Sequence, residues 1–159
     1  MSDRLDALRS SRLAAELSDE QCRIVSELLS LRDLKDGEIL VREGQSDNHL
    51  YVIDDGLLGV VKNAGRPEQI TLFTIGSGEF ADELGFMDGT EHYASLVSIG
   101  ETRVLGLERE TLESMLSVHP EIVYRVMRSI IRAVHQIQRR LSMQSVELSN
   151  YIYKQHGKY

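Results

Sequence analysis

The chain has 159 residues and 42% hydrophobic content, which supplies one domain with an appendage but leaves two full domains cramped. Eighteen Lys and Arg against 25 Asp and Glu leave a net charge of −7, a poor basis for nucleic-acid binding through phosphate neutralisation or for a basic membrane-surface protein. A single cysteine, Cys22, excludes an intrachain disulfide and a Cys-rich zinc site, and no run approaches the roughly 18 apolar residues of a membrane span. The charged start, MSDRLDALRS, has no apolar stretch of the signal-peptide kind, so a cytoplasmic protein without membrane association is expected.

Glycine divides the chain. None occurs in residues 1–36, eleven of the twelve lie between Gly37 and Gly106, and the last is Gly157. Because glycine serves turns and weakens helices, the expected order is helices over 1–36, a β-rich unit over 37–118, a helix over 119–153 and a tail over 154–159. In the first part Leu5 and Leu8 mark one helical face. Ser18 and Gln21 then have capping-box spacing before Cys22, Val25, Leu28 and Leu29, an amphipathic helix with Cys22 on its apolar side. A buried, unreactive thiol is expected there, since no basic cluster favours the thiolate.

The middle alternates short apolar runs with turn signals. Strands are predicted at Ile39–Val41, Leu50–Ile53, Leu57–Val61, Ile70–Ile75, Leu96–Ile99 and Val104–Leu107, with a polar hairpin tip at Asn63–Pro67. Pro120 suits a helix start. From there Val123, Met127, Ile130, Val134, Ile137, Leu141, Gln144, Leu148 and Tyr151 follow 4-3 spacing, a heptad seam. The seam predicts a parallel homodimer with Gln144 fixing register; the alternative is a monomer whose helix lies wholly on its own domain. Arg125, Arg128, Arg132, His135 and Arg139 form a basic line on the same helix, a solvated face or a docking surface for acidic groups. The tail is too short for a helix-turn-helix, so DNA binding is not expected.

Catalytic patterns are missing. The histidines His49, His92, His119, His135 and His156 form neither an H-x-H pair nor an H-E-x-x-H motif, and neither a G-x-S-x-G elbow nor a GK[ST] loop occurs. A non-enzymatic chain without a metal is expected, with a β-barrel enzyme as the minor alternative.

The segment Gly78-Glu79-Phe80-Ala81-Asp82-Glu83-Leu84-Gly85, then His92-Tyr93-Ala94-Ser95, resembles the cyclic nucleotide-binding domain family. Asp36-Gly37-Glu38, Arg42-Glu43-Gly44, Leu50-Tyr51-Val52-Ile53 with Gly56, and Val118-His119-Pro120-Glu121 extend the resemblance over about residues 20 to 140. It implies an α+β fold: an antiparallel, jelly-roll-like β-roll flanked by N-terminal helices and a long C-terminal helix. It also implies a regulatory sensor that takes cAMP or cGMP in the roll and couples it to the dimer helix, signalling to a separate output protein. The ligand residues so implied are Phe80, Ala81, Asp82, Glu83, Leu84, His92, Tyr93, Ala94 and Ser95, with Ile137 and Gln138 capping the base. Glu83, Leu84, Ala94 and Ser95 match the family pattern. Three positions depart from it: Asp82 stands for a glycine, His92 for the phosphate-binding arginine, and Tyr93, whose ring is expected to fill part of the cavity, for a small residue. Two readings therefore stay open, a ligand sensor and a degenerate pocket in a dimerisation module.

Overall fold

The computed structural model describes residues 2–156; positions 157–159 of the expected tail lie outside the described residues. Helix α1 (Ser2–Arg9) and a 3-10 turn (Arg12–Ala14) lead to helix α2 (Asp19–Leu28). The Ser18 hydroxyl accepts from the Gln21 amide and the Gln21 side chain accepts from the Ser18 amide, so the capping box forms as its sequence predicts. Cys22 is buried on the apolar face, where desolvation raises its pKa and keeps the thiol protonated.

Six antiparallel strands follow: β1 (Ser30–Leu34), β2 (Ile39–Val41), β3 (His49–Lys62), β4 (Ile70–Gly76), β5 (Phe80–Ala81) and β6 (Ser95–Glu108). The order β1-β6-β3-β4 forms the main path, β2 pairs with β6, and β5 pairs with β3. The stretch read as helical up to residue 36 thus contains β1, whose glycine-free sequence pairs along β6 from Ser30↔Gly106 to Leu34↔Thr102. The two pairs of strands predicted at Leu50–Ile53 with Leu57–Val61, and Leu96–Ile99 with Val104–Leu107, are each one long strand. Their turn signals are irregularities within a continuous ladder. Asp55 pairs with Arg103 and Leu57 with Ile99, so the extra β6 residues bend both strands without breaking them. Gly56 makes this possible: its φ is +106°, and a Cβ there would lie 2.5 Å from the Glu101 carbonyl oxygen and 2.8 Å from Thr102 Cα.

Alternation along β3 and β6 divides the interior into two cores. Leu50, Val52, Leu105 and Leu107 face the helices and pack with Leu8, Val25 and Phe86. Tyr51, Ile53, Leu58 and Val104 face the inside of the roll with Leu40, Ala81, Ala94 and Leu96. After β6, helix α4 (Arg109–Ser114) and a 3-10 turn (Met115–Ser117) lead into helix α5 (Pro120–His156). Its inner face, Ile122, Val123, Val126, Ile130 and Ala133, is buried in the helix-side core. Beyond Gln136 every described side chain of α5 is exposed. No helix among the described residues is long and apolar enough to cross a membrane.

Candidate functional site

The segment between β5 and β6 crosses the mouth of the roll. Phe80 and Ala81 are buried, the first toward the helices and the second toward the roll interior. Asp82 then takes a left-handed conformation, φ 69° and ψ 35°, and caps the short helix α3 (Glu83–Asp88). A non-glycine residue there costs backbone energy, which aspartate tolerates better than most. Gly85, one turn on, leaves room for the Asp82 carboxylate, which a Cβ there would displace.

The loop after α3 is tied to the loop after β2. The Gly44 amide donates to the His92 carbonyl at 2.8 Å, and the His92 amide to the Gln45 carbonyl at 2.9 Å. Ser95, buried at the start of β6, accepts from the Glu43 amide at 3.0 Å. Lys62 donates to the Tyr93 carbonyl at 2.7 Å and pairs with Glu43. These bonds turn His92 inward and Tyr93 outward. His92 Nδ1 lies 3.2 Å from Asp82 Oδ1, and the side chains are only 9% and 2% exposed. Asp82 Oδ2 and His92 Nε2 are buried without a hydrogen-bond partner.

A third group, Asp47, joins this pair. One ligand-capable atom each from Asp47, Asp82 and His92 lie within 4.8 Å of one another. Tyr51 donates its hydroxyl to Asp47 Oδ2 at 3.0 Å, and the His49 amide and Nδ1 lie 3.2 and 3.0 Å from Asp47 Oδ1. The His49 and Tyr51 rings stack 5.7 Å apart.

Burial pushes Asp82 up to about 8, with the charges of Asp47 and Glu83 adding to the rise and the Gly85 amide opposing it. Burial lowers His92, against the pull of Asp47. Glu83 is also raised, chiefly by burial. An aspartate with a raised native pKa holds a proton that the unfolded chain has lost, so its contribution is present below about pH 4 and lost as pH rises through 8. His92, lowered in the native state, works in the opposite sense below 6.5. The two offset one another just below pH 6.5, and above it the Asp82 contribution goes on falling, with the raised Glu83 acting in the same sense. Chelator-dialysed protein should therefore lose about 1–2 kcal/mol between pH 6.5 and 8 in urea unfolding, since one proton changes stability by about 1.4 kcal/mol per pH unit. Asp82→Asn should flatten that limb; an unchanged slope would remove Asp82 as its cause.

Several sequence-derived site residues sit differently from expectation. Tyr93 is 61% exposed, so its ring does not fill the roll, because the Lys62 bond holds its backbone at the rim. Ala94 and Ser95 are buried, and Glu83 is half-buried at the start of α3. Leu84 lies in α3, and its side chain is outside what the structure describes. Ile137, 44% exposed, and Gln138 stand on α5 one turn beyond Ala133 and are not sealed over the roll. In the seam, Val123 and Ile130 are buried in the chain's own core, whereas Leu141 and Leu148 are 59% and 60% exposed. Met127, Val134, Leu141 and Leu148 recur every seven residues, and near the domain their outward companions are Tyr124 and Ile131 rather than Val123 and Ile130. The basic line is partly used internally: Arg128 and Arg132 pair with Glu16, and Arg125 donates to the Glu16 carbonyl. Sequence reasoning missed Asp47, whose only signal is the short Asp47-Asn48-His49 run before β3.

A sequence model described as "Cyclic nucleotide-binding domain" matches residues 31–119, more than half of the chain. The CRP-like cAMP-activated global transcriptional regulator of Mycobacterium tuberculosis is 24% identical over 110 residues, 69% of this chain and 49% of that protein. The chain thus spans about half the length of the first curated relatives it matches. Among solved structures, a cyclic nucleotide-binding domain from Methylobacillus flagellatus superposes with a TM-score of 0.75 at 22% identity, covering 87% of this chain and 78% of its own. The regulatory subunit of a cAMP-independent protein kinase A from Trypanosoma brucei, solved as a triple mutant bound to cAMP, gives a TM-score of 0.67 at 19% identity, with coverage of 88% and 52%.

Proposed function

This chain belongs to the cyclic nucleotide-binding domain family, and we propose that it is a non-catalytic cytoplasmic regulatory module, dimeric through α5, whose roll does not take a cyclic nucleotide in the family's manner. The observation that carries this reading is the Asp82–His92 pair. Where the resemblance places a bare glycine backbone and an arginine fork for the cyclic phosphate, a carboxylate 98% removed from solvent faces an imidazole held neutral. An imidazole supplies no planar charged fork, and a buried acid beside a phosphate adds repulsion whenever it ionises. The Trypanosoma neighbour named as cAMP-independent holds cAMP in a triple mutant that has alanine for a glutamate, arginine for a threonine and alanine for a valine, so this fold is compatible with either condition.

The dimer part of the proposal rests on α5. Its inner face is spent on the chain's own core, yet Ile137, Leu141 and Leu148 stay exposed on a helix that continues about 35 Å past Ala133, its last core residue. Helical stability of this kind comes mainly from packing, and a seven-residue apolar repeat is self-complementary, so the occupant is a second copy of the chain. Helix α4 and the turn Met115–Ser117 join the roll to α5 and give changes in the roll a route to the dimer and onward to a separate output protein. A ligand sensor is the second reading, favoured by Glu83, which keeps its family position inside the site. Calorimetric titration of the chain with cAMP and cGMP separates the two. No saturable heat at millimolar nucleotide is expected; micromolar affinity for either would overturn the first reading and establish the sensor.

A further inference from the structure

We propose that Asp47, Asp82 and His92 form a site for a divalent transition-metal ion, with zinc the best-fitting occupant. Two independent observations point there. The first is convergence: three elements, the loop before β3, the cap of α3 and the loop before β6, bring one donor atom each within 4.8 Å. The second is the orphaned polarity of two of them. Asp82 and His92 are at least nine-tenths buried, and Asp82 Oδ2 and His92 Nε2 have no partner, a costly condition; an ion on the carboxylate would relieve Asp82 Oδ2, while the imidazole would ligate through Nδ1 and keep its proton on Nε2.

The geometry is close to that of a bound ion. Around tetrahedral zinc, bonds near 2.0–2.1 Å put neighbouring donors about 3.3 Å apart. Asp82 Oδ1 and His92 Nδ1 already stand at 3.2 Å, so closure requires mainly a short inward movement of Asp47. That side chain lies at the partly open edge of the site, 21% exposed, and Tyr51 and His49 orient its carboxylate as second-layer partners of metal ligands commonly do. Two carboxylates and a neutral imidazole neutralise a dication, and the nitrogen donor favours zinc over magnesium or calcium. Three protein ligands leave one coordination position open. The departures that weaken phosphate binding, a glycine become Asp82 and an arginine become His92, thus reverse the preferred ligand charge at one place in the fold.

The inference goes beyond the proposed function and does not depend on it, since zinc binding and nucleotide binding are read in separate titrations. The full chain, stripped with chelator and exchanged into chelator-free buffer, is titrated calorimetrically with ZnCl2 and, separately, with MgCl2. The expected result is one zinc per chain at micromolar affinity or tighter and no saturable magnesium heat. Asp82→Asn and His92→Ala should each weaken zinc at least a hundredfold, and Asp47→Asn at least tenfold. Co2+ should show a tetrahedral d–d spectrum in the wild type that both buried-site variants lose. Zinc bound equally well by the three variants would place the ion elsewhere and overturn the proposal, as would no saturable zinc heat in the wild type. Should His92→Ala lose its circular dichroism, the near-isosteric Asp82→Asn and Asp47→Asn decide the question alone.

Discussion

Asp82→Gly combined with His92→Arg is expected to raise cAMP affinity about thirty- to several-thousand-fold over the wild type. The estimate follows from the cationic partner of a buried charged pair, whose loss typically costs about 2–5 kcal/mol, at about 1.4 kcal/mol per decade of affinity. Both substitutions act on the same buried contact. Glycine removes the 2%-exposed carboxylate and accepts the φ of 69° without cost, while arginine supplies the charged fork that His92 lacks. Tyr93→Ala alone should leave binding unchanged, because that ring stands at the rim. The readout is calorimetric titration with cAMP alongside circular dichroism for fold. A double variant that stays folded and binds no better than wild type would show that the obstacle lies outside the Asp82–His92 contact.

Leu141→Asp with Leu148→Asp should convert the proposed dimer to monomer in sedimentation equilibrium without lowering the thermal stability of the roll. Each dimer would lose four buried leucines, worth about 1.5 kcal/mol or more apiece, which weakens association at least about ten-thousand-fold. Ile130→Asp is expected to behave differently. Ile130 is buried among Leu13, Val25 and Val126 in the core, so a charge there should unfold the domain rather than separate two copies. A Leu141/Leu148 variant of unchanged mass would refute the seam.

The contrast between Ile130 and Leu141 marks where sequence reasoning stopped. Both have the same type of apolar side chain at heptad spacing, and periodicity reports only that a face is apolar. It does not report which molecule covers that face. Near Pro120 two apolar faces run side by side, and the packing of α5 against the 3-10 turns Arg12–Ala14 and Met115–Ser117 assigns Val123 and Ile130 inward, leaving Tyr124 and Ile131 outward. The strands show a related effect. Asp54-Asp55-Gly56 carries strong turn chemistry, yet the β3–β6 ladder continues through it, because irregularities on facing strands compensate one another.

Local chemistry was legible wherever a few neighbouring residues decide the structure. The Ser18–Gln21 capping box, the helix start at Pro120, the polar tip before Ile70 and the order of the family's motifs belong to this class. The departures Asp82 and His92 were also visible, since each occupies a position defined by its motif. Their mutual contact was not, nor was the convergence of Asp47, 35 residues before Asp82 in the chain, upon them. Tyr93 pointed the wrong way in the sequence reading because the bond from Lys62 that fixes its backbone comes from the far end of β3. Sequence by itself determined the family and marked Asp82 and His92 as departures from its phosphate motif, both of which rest on residues close together in the chain. Tertiary structure alone decided which side chains share a buried space, because burial and proximity are set by strands and loops distant in sequence. A net charge of −7 could say only that the chain is acidic; folding placed two of its carboxylates and one imidazole within reach of a single ion.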